Sequence, residues 1–282
     1  MPPNAQQKAV SALKRYLRDC EDNPARRERL FVSFCAPRAA FISRLTQTVL
    51  AFIVEERPGL HGAAVLDYGC GVSPYRKAFE RMGARVIGAD IGDNRDAELQ
   101  IAADGSLAAD DRSFEYVFSS QVMEHVTCPQ EYLREAYRLL KPGGKLFVST
   151  HGLWPYHPTP CDLRRWTRQG LACELESAGF DVKRYRPILN EYAAAVQFFA
   201  MAGEYRGAWG WLAPLVHCMA RAVIARISRT LLSSWRTTTA RLLSADLRLR
   251  LLFHRSLAPS PRIRISASCA AAFSGSRFSA SA

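Results

Sequence analysis

The chain has 282 residues, 48% of them hydrophobic and 23% charged, a balance that excludes a disordered polymer and supports one large folded domain with appendages. The net charge of +12 is lopsided: beyond Glu204 there are twelve Arg, no Lys and a single acid, Asp246, whereas the first 204 residues carry 26 basic and 25 acidic groups. The body is therefore near neutral, which argues against a general nucleic-acid binder, and only the tail suits an anionic partner.

The N-terminal stretch "MPPNAQQKAVSALKRYLRDC" has no apolar signal-like core, so no secretory leader is expected. Helical patterns cover residues 5–57. In "FISRLTQTVLAFIVEE" the apolar Phe41, Ile42, Leu45, Val49, Phe52 and Ile53 recur at helical spacing, and Pro58 and Gly59 are expected to end that helix. An alternation follows. "AAVLDYG" predicts a buried strand; Ser73 is the expected N-cap, with Pro74 at the first helical position, of a helix over "YRKAFERMG". "ARVIGAD" predicts a second strand, "LQIAAD" a short third, and "FEYVFSS" a fourth. "PQEYLREAYRLL" predicts an amphipathic helix ended by "KPGG", "KLFVSTH" a fifth strand, "TRQGLACELESAGF" another helix, and "DVKRYRPIL" a sixth strand. Beyond about residue 200 the alternation stops, residues 207–253 carry apolar and Arg-rich helical patterns, and residues 257–282 are Ala/Ser/Arg-rich and expected to be disordered.

Alternating strands and helices define an α/β class: a doubly wound, mostly parallel sheet with helices on both faces. Right-handed crossovers then bring the carboxyl ends of the strands to one edge, where a ligand crevice forms. In "AAVLDYGCGVSP", residues 63–74, the first strand ends in Asp67, and Gly69 and Gly71 let a ligand approach the backbone. Asp90 ends the second strand, where an acid can accept from both hydroxyls of a ribose. Asp104, in "AADGS", is placed to take the amino group of an adenine. A dinucleotide fingerprint needs GxGxxG, and Pro74 stands where its last glycine belongs. An adenosine ligand without a pyrophosphate fits better, and Asp67 suits one that carries an ammonium group.

The motifs "VLDYGCG", "VIGAD", "AADGSLAADDRSFEYVFSSQVMEHV" and "LLKPGGKLFVSTH" together resemble the class I S-adenosylmethionine-dependent methyltransferases, of the methyltransferase-11 type, from about residue 63 to about 185. The resemblance implies a Rossmann-like fold, S-adenosyl-L-methionine as cofactor, and an enzyme that transfers its methyl group to a small-molecule or glycan acceptor, at oxygen. It further implies that Asp67, Gly69 and Gly71 line the methionine moiety, with Tyr68 alongside, that Asp90 holds the ribose, that Asp104 and Gly105 meet the adenine, and that Ser119 to Gln121, Ser120 among them, border cofactor and acceptor. The domain plan is a helical extension over 1–60, the methyltransferase domain over 61–200, an apolar Arg-rich helical segment over 201–256 and the low-complexity tail over 257–282.

If the acceptor is a hydroxyl, a base must take its proton, and histidine suits neutral pH. His151 directly follows the fifth strand, and His157 lies in the loop "HGLWPYHPTPCDLRRWT"; these two are the catalytic candidates, with His125 of "MEHV" as readily structural. The loop mixes Trp154, Tyr156, His157, Asp162, Arg165 and Trp166, a combination of rings and polar groups that suits sugars. Eight scattered cysteines without a CxxC pair fit a reducing compartment, and no metal-ligand spacing is present. The expected location is cytoplasmic. The segment "WGWLAPLVHCMARAVIARISRTLL" suits either an interfacial helix on the inner face of an anionic membrane or a helical cap. The Arg-only tail beyond about residue 235 has also the composition of a shifted reading frame. Two rival functions remain at this stage: an RNA methyltransferase, and a non-catalytic, membrane-associated scaffold with a vestigial nucleotide fold.

Overall fold

The computed structural model describes residues 3–33, 36, 38–158, 160–205 and 210–226. Its centre is a five-stranded, all-parallel sheet in the order β3-β2-β1-β4-β5, with β1 Ala64–Tyr68, β2 Arg85–Asp90, β3 Leu99–Gln100, β4 Phe114–Ser120 and β5 Leu140–Ser149. The strand order reverses between β1 and β4, so the crevice of a doubly wound sheet opens where their carboxyl ends diverge.

Two apolar layers sandwich the sheet. On one face Val65, Val86, Tyr116 and Phe118 pack against helices α1 (Pro3–Cys20), α3 (Ala39–Leu60) and α4 (Arg76–Arg81). On the other, Ala64, Leu66, Tyr68 and Val117 meet α5 (Pro129–Leu139) and α6 (Arg168–Ser177). Both sets come from the same strands, because successive side chains point to opposite faces, and a strand covered on both sides is a continuous apolar run. The N-terminal helices share the core of the sheet. Their link to the ligand edge is Arg26 on α2 (Pro24–Leu30), which donates to the Val72 carbonyl at 2.6 Å and pairs with Asp96 at 2.5 Å.

Several boundaries differ from expectation. Helix α3 runs through Pro58 and Gly59 to Leu60; a Cβ on Gly59 would lie 2.4 Å from the Tyr116 hydroxyl, so the glycine permits strand β4 to approach a helix that continues. Ser73 does not cap α4. Its φ of +47° places it in the left-handed region, its hydroxyl donates to Asp67, and the helix starts only at Arg76. Strand β3 spans two residues, with a single antiparallel bridge from Ile101 to Leu107 beyond it. Strand β5 begins at Leu140, directly after α5, and "KPGG" forms a bulge between the pairs Phe114–Leu140 and Tyr116–Lys145.

The sixth strand over 181–189 does not form. Its basic residues are drawn to α3 instead: Arg184 and Arg186 both pair with Glu55, the latter at 2.7 Å. Among the described residues no strand covers the outer edge of β5. A groove of about 1350 Å³ runs along it, bordered by Phe52, Leu146, Val148, Trp166 and Leu171. Helix α7 (Glu191–Tyr205) was not anticipated; the Asn190 side chain accepts from the Ala193 amide and starts it. Of the Arg-rich helical segment, residues 213–226 are helical, and the expected disordered tail lies outside the described residues. No helix among the described residues is long and apolar enough to cross a membrane.

Candidate functional site at the carboxyl edge of the sheet

The turn after β1 is built from backbone that only glycine adopts easily. Gly69 has φ +79°, and a Cβ there would lie 2.6 Å from Val122 Cγ2; Gly71 has φ +53°, with open space where its Cβ would stand. The Gly71 amide donates to Asp90 Oδ2 at 2.9 Å, and the Asn94 amide donates both to Asp90 Oδ2 at 2.6 Å and to the Gly71 carbonyl at 2.8 Å. Parallel pairing of β1 and β2 (Asp67 with Gly88) thus brings the two strand-end acids to one place. Each oxygen of a carboxylate has two lone pairs, so Asp90, which also takes the Ile91 amide on Oδ1 at 2.8 Å, keeps acceptor capacity.

Asp67 is 5% exposed. Burial pushes its carboxyl up to about 7, against the lowering effects of the Ser73 hydroxyl at 2.6 Å and of Arg76. Burial and the neighbouring Asp67 and Asp90 push the Cys70 thiol up to about 12 and keep it protonated and inert. Arg76 is engaged by Glu98 through 2.7 and 2.8 Å bonds. The edge left to a ligand is acidic, and it suits a cation.

The remaining expected cofactor residues fall into two groups. Asp104 is exposed and accepts from the Ser106 amide at 3.0 Å and hydroxyl at 2.7 Å, which lower its pKa. The Tyr68 ring is fully buried, stacks on Tyr132 with centroids 4.2 Å apart, and its hydroxyl holds the Gly105 carbonyl at 2.5 Å. Tyr68 therefore holds the 102–106 turn in place from within the core, and only its backbone lies on the β1 edge. At the ends of β4 and β5, Ser119 is buried against Tyr132 (2.8 Å), Ser120 meets the Ser149 hydroxyl at 3.1 Å, and Gln121 donates to that same hydroxyl at 3.0 Å. Gln121 Oε1 is buried without a partner.

Beyond β5 the chain forms an aromatic and histidine cluster. His151 is 6% exposed, stacked on Trp154 (4.8 Å, 6° between planes), with His157 edge-on at 5.1 Å. Burial pushes the His151 imidazole down to about 3 and also lowers His157, which Asp162 partly offsets. Glu124, fully buried, lies against them: its Oε1 is 3.4 Å from His151 Nε2, its Oε2 accepts from the Thr150 hydroxyl at 2.9 Å, and burial raises its pKa. His125 sits in a turn, edge-on to His157 and bonded to the Cys161 carbonyl. Asp162, held well below the usual carboxylate range by Arg165, binds that guanidinium and the His157 amide. The Asp162 carboxylate and Arg165 guanidinium offered for sugar hydroxyls are thus paired with each other, His157 Nε2 and Trp166 Nε1 are buried without a partner, Trp154 packs on Phe41 at 4.4 Å, and Tyr156 is 71% exposed.

Three residues of this edge were not singled out in the sequence. Asn94 bridges Asp90 and Gly71. Ile91, 56% exposed directly after Asp90, presents an apolar side chain beside the acid. Glu124 was hidden because its partners lie 27 and 33 positions along the chain.

Residues 66–148 match a family model described as a methyltransferase domain. Over 114 residues the chain is 35% identical to the ubiquinone biosynthesis O-methyltransferase of Pseudomonas paraeruginosa, and over 111 residues 34% identical to the protein of the same name from Pseudomonas entomophila. Each match covers 34% of this chain and 48% of the relative, so the chain spans about half the length of the curated relatives it matches. Among solved structures, an S-adenosylmethionine-dependent methyltransferase from Aquifex aeolicus is 18% identical with a TM-score of 0.41, covering 61% of this chain and 90% of its own. The [4+2]-cyclase SpnF is 20% identical with a TM-score of 0.46, covering 64% and 75%.

Proposed function

We propose that the protein, whose residues 66–148 match a methyltransferase-domain model, transfers a methyl group from S-adenosylmethionine to a hydroxyl of a small-molecule or glycan acceptor. The observation that carries this reading is the acidic carboxyl edge of the sheet, where Asp67, Asp90 and the open side of Gly71 come together. The residues present fit the cofactor: a carboxylate with spare acceptor capacity for a ribose, an apolar Ile91 face beside it for a flat base, a glycine with open space in place of a Cβ, and excess negative charge for a cationic ligand. When bound, S-adenosylmethionine supplies a methyl group already activated on a sulfonium, so the protein's work is alignment and proton removal.

Asp90 would take the ribose hydroxyls, Asp67 the ammonium side, and the 104–105 turn the adenine edge. Oxygen as the methylated atom is supported by the likeness to the ubiquinone biosynthesis O-methyltransferases of Pseudomonas. The proton acceptor is proposed in the Glu124, His151 and His157 cluster. His151, pushed down to about 3, is a weak base, and the less buried His157 is the better one. Replacing Asp90 with Ala should weaken S-adenosylmethionine binding roughly 10- to 100-fold, the worth of hydrogen bonds to a charged acceptor. Calorimetric titration of both proteins checks it, and an unchanged dissociation constant overturns the site.

A second reading, peripheral contact with an anionic membrane, is favoured by the apolar stripe of Leu212, Leu215, Met219 and Val223, all at least 38% exposed at helical spacing beside Trp211 at 88%.

A further inference from the structure

We propose that Glu124, His151 and His157 form a binding site for a divalent transition-metal ion of the zinc class. One carboxylate oxygen and one nitrogen from each imidazole all lie within 4.8 Å of one another. They come from three separate places: the turn after β4, the end of β5, and the loop beyond it. No sequence spacing announces such a set, and the fold assembles it.

The hydrogen bonding of the cluster is incomplete in a way that points to a ligand. Thr150 occupies Glu124 Oε2 and leaves Oε1 buried without a hydrogen-bond partner. His157 Nε2 is likewise buried and unpartnered. The separation of 3.4 Å between Glu124 Oε1 and His151 Nε2 is too long for a good hydrogen bond. It equals the spacing of neighbouring ligand atoms in a tetrahedral centre, about 3.4 Å for metal–ligand bonds of about 2.1 Å. Buried polar groups are normally satisfied, and a single ion would satisfy all three.

The surroundings support such a centre. Stacking on Trp154 fixes the His151 ring, and the Leu163 amide donates to the Glu124 carbonyl at 2.9 Å. Thr150 orients the carboxylate as outer-shell partners do in metal sites. The nearby cation Arg165 is paired with Asp162, so their charges offset. His157 is half-buried on a loop, which gives the ion an entry side. Two imidazoles and one carboxylate favour Zn²⁺ or its neighbours over Mg²⁺ and Ca²⁺, which take oxygen ligands. Three protein ligands leave at least one coordination position open. With the ion bound, His157 would be a ligand and no longer a free base; the ion would then take over proton removal at this cluster by lowering the pKa of an acceptor hydroxyl at its open position. The site does not depend on the cofactor assignment.

The test uses the untagged, full-length protein stripped with a chelator and titrated with Zn²⁺ by calorimetry. One equivalent is expected to bind with a dissociation constant below about 1 µM, and Co²⁺ in its place should show the visible bands of a tetrahedral centre. Glu124→Gln and His157→Ala should each weaken Zn²⁺ binding at least about 100-fold and abolish the Co²⁺ bands, with circular dichroism unchanged. Should His157→Ala unfold the chain, the near-isosteric Glu124→Gln decides. Absence of saturable binding in the parent protein overturns the proposal, and so does binding that persists in the variants, which would assign the ion to exposed Cys128 or Cys173. S-adenosylmethionine binding measured on the stripped protein separates failure of this site from failure of the cofactor reading.

Discussion

Asp67 is a carboxyl that the fold buries before any ligand arrives. Its pKa of about 7 lies above the ordinary value of 3.8, so between these pH values the folded chain binds more protons than the unfolded one. Stability from this group is therefore fully present below about pH 4 and lost as the pH rises through about 7. Asp67→Asn removes the buried charge and keeps the shape. It should raise stability by roughly 1–3 kcal/mol at pH 8 and have little effect at pH 4, while S-adenosylmethionine affinity falls at least tenfold. Urea unfolding at both pH values, with a cofactor titration, checks both parts; equal effects at the two pH values would show that Asp67 is charged at little cost. Single residues at this scale were legible where chemistry and position coincide, as for Asp90 at the tip of β2. Ser73 was not. A serine before Pro74 has the composition of an N-cap, but its hydroxyl is claimed by Asp67 six positions back, a contact that the local pattern does not carry.

At the scale of elements, β1 and β2 were visible because short apolar runs lead into acids, Asp67 and Asp90, that stand at the carboxyl edge, and β4 because Tyr116, Val117 and Phe118 form a buried aromatic and β-branched run. The same reasoning misplaced residues 181–189. Val182, Tyr185 and Ile188 gave a plausible strand, yet Arg184 and Arg186 carry it to the Glu55 carboxylate on α3, a partner about 130 positions away. The Glu124, His151 and His157 cluster was illegible for a like reason: only the packed sheet brings a turn, a strand end and a loop together. What holds the sheet at its centre is Phe118 on β4, which stacks on Phe147 at 5.1 Å and meets Tyr75 and Phe79 edge-on at 5.6 and 5.2 Å. Phe118→Ala empties that junction between β4, β5 and α4. A loss of about 3–5 kcal/mol is expected in denaturant unfolding; a loss below about 1 kcal/mol would mean that the neighbours collapse into the space.

Along the chain, excess basic charge and an exposed apolar stripe fall on the same C-terminal stretch. The near-neutral body carries the acidic sheet edge, and the excess basic residues gather past Glu204, where Trp211 and the stripe through Val223 are exposed. If that face meets lipid, the full chain should float with vesicles containing phosphatidylglycerol and much less with neutral phosphatidylcholine. Trp211→Ala with Leu215→Asp should cut binding about tenfold or more. Equal flotation of parent and variant would leave the membrane contact without its stripe.

The outer rim of β5 has a consequence for solubility. A bare strand margin offers its amides and carbonyls as a template on which a second chain can add, the route by which sheets polymerise. Here the margin is spoiled. The "KPGG" bulge breaks its straight run, and the ion pairs of Lys141 with Glu115 and Lys145 with Glu56 put charged side chains along it. The kink that looks like an imperfection in the strand is thus a guard against fibre growth.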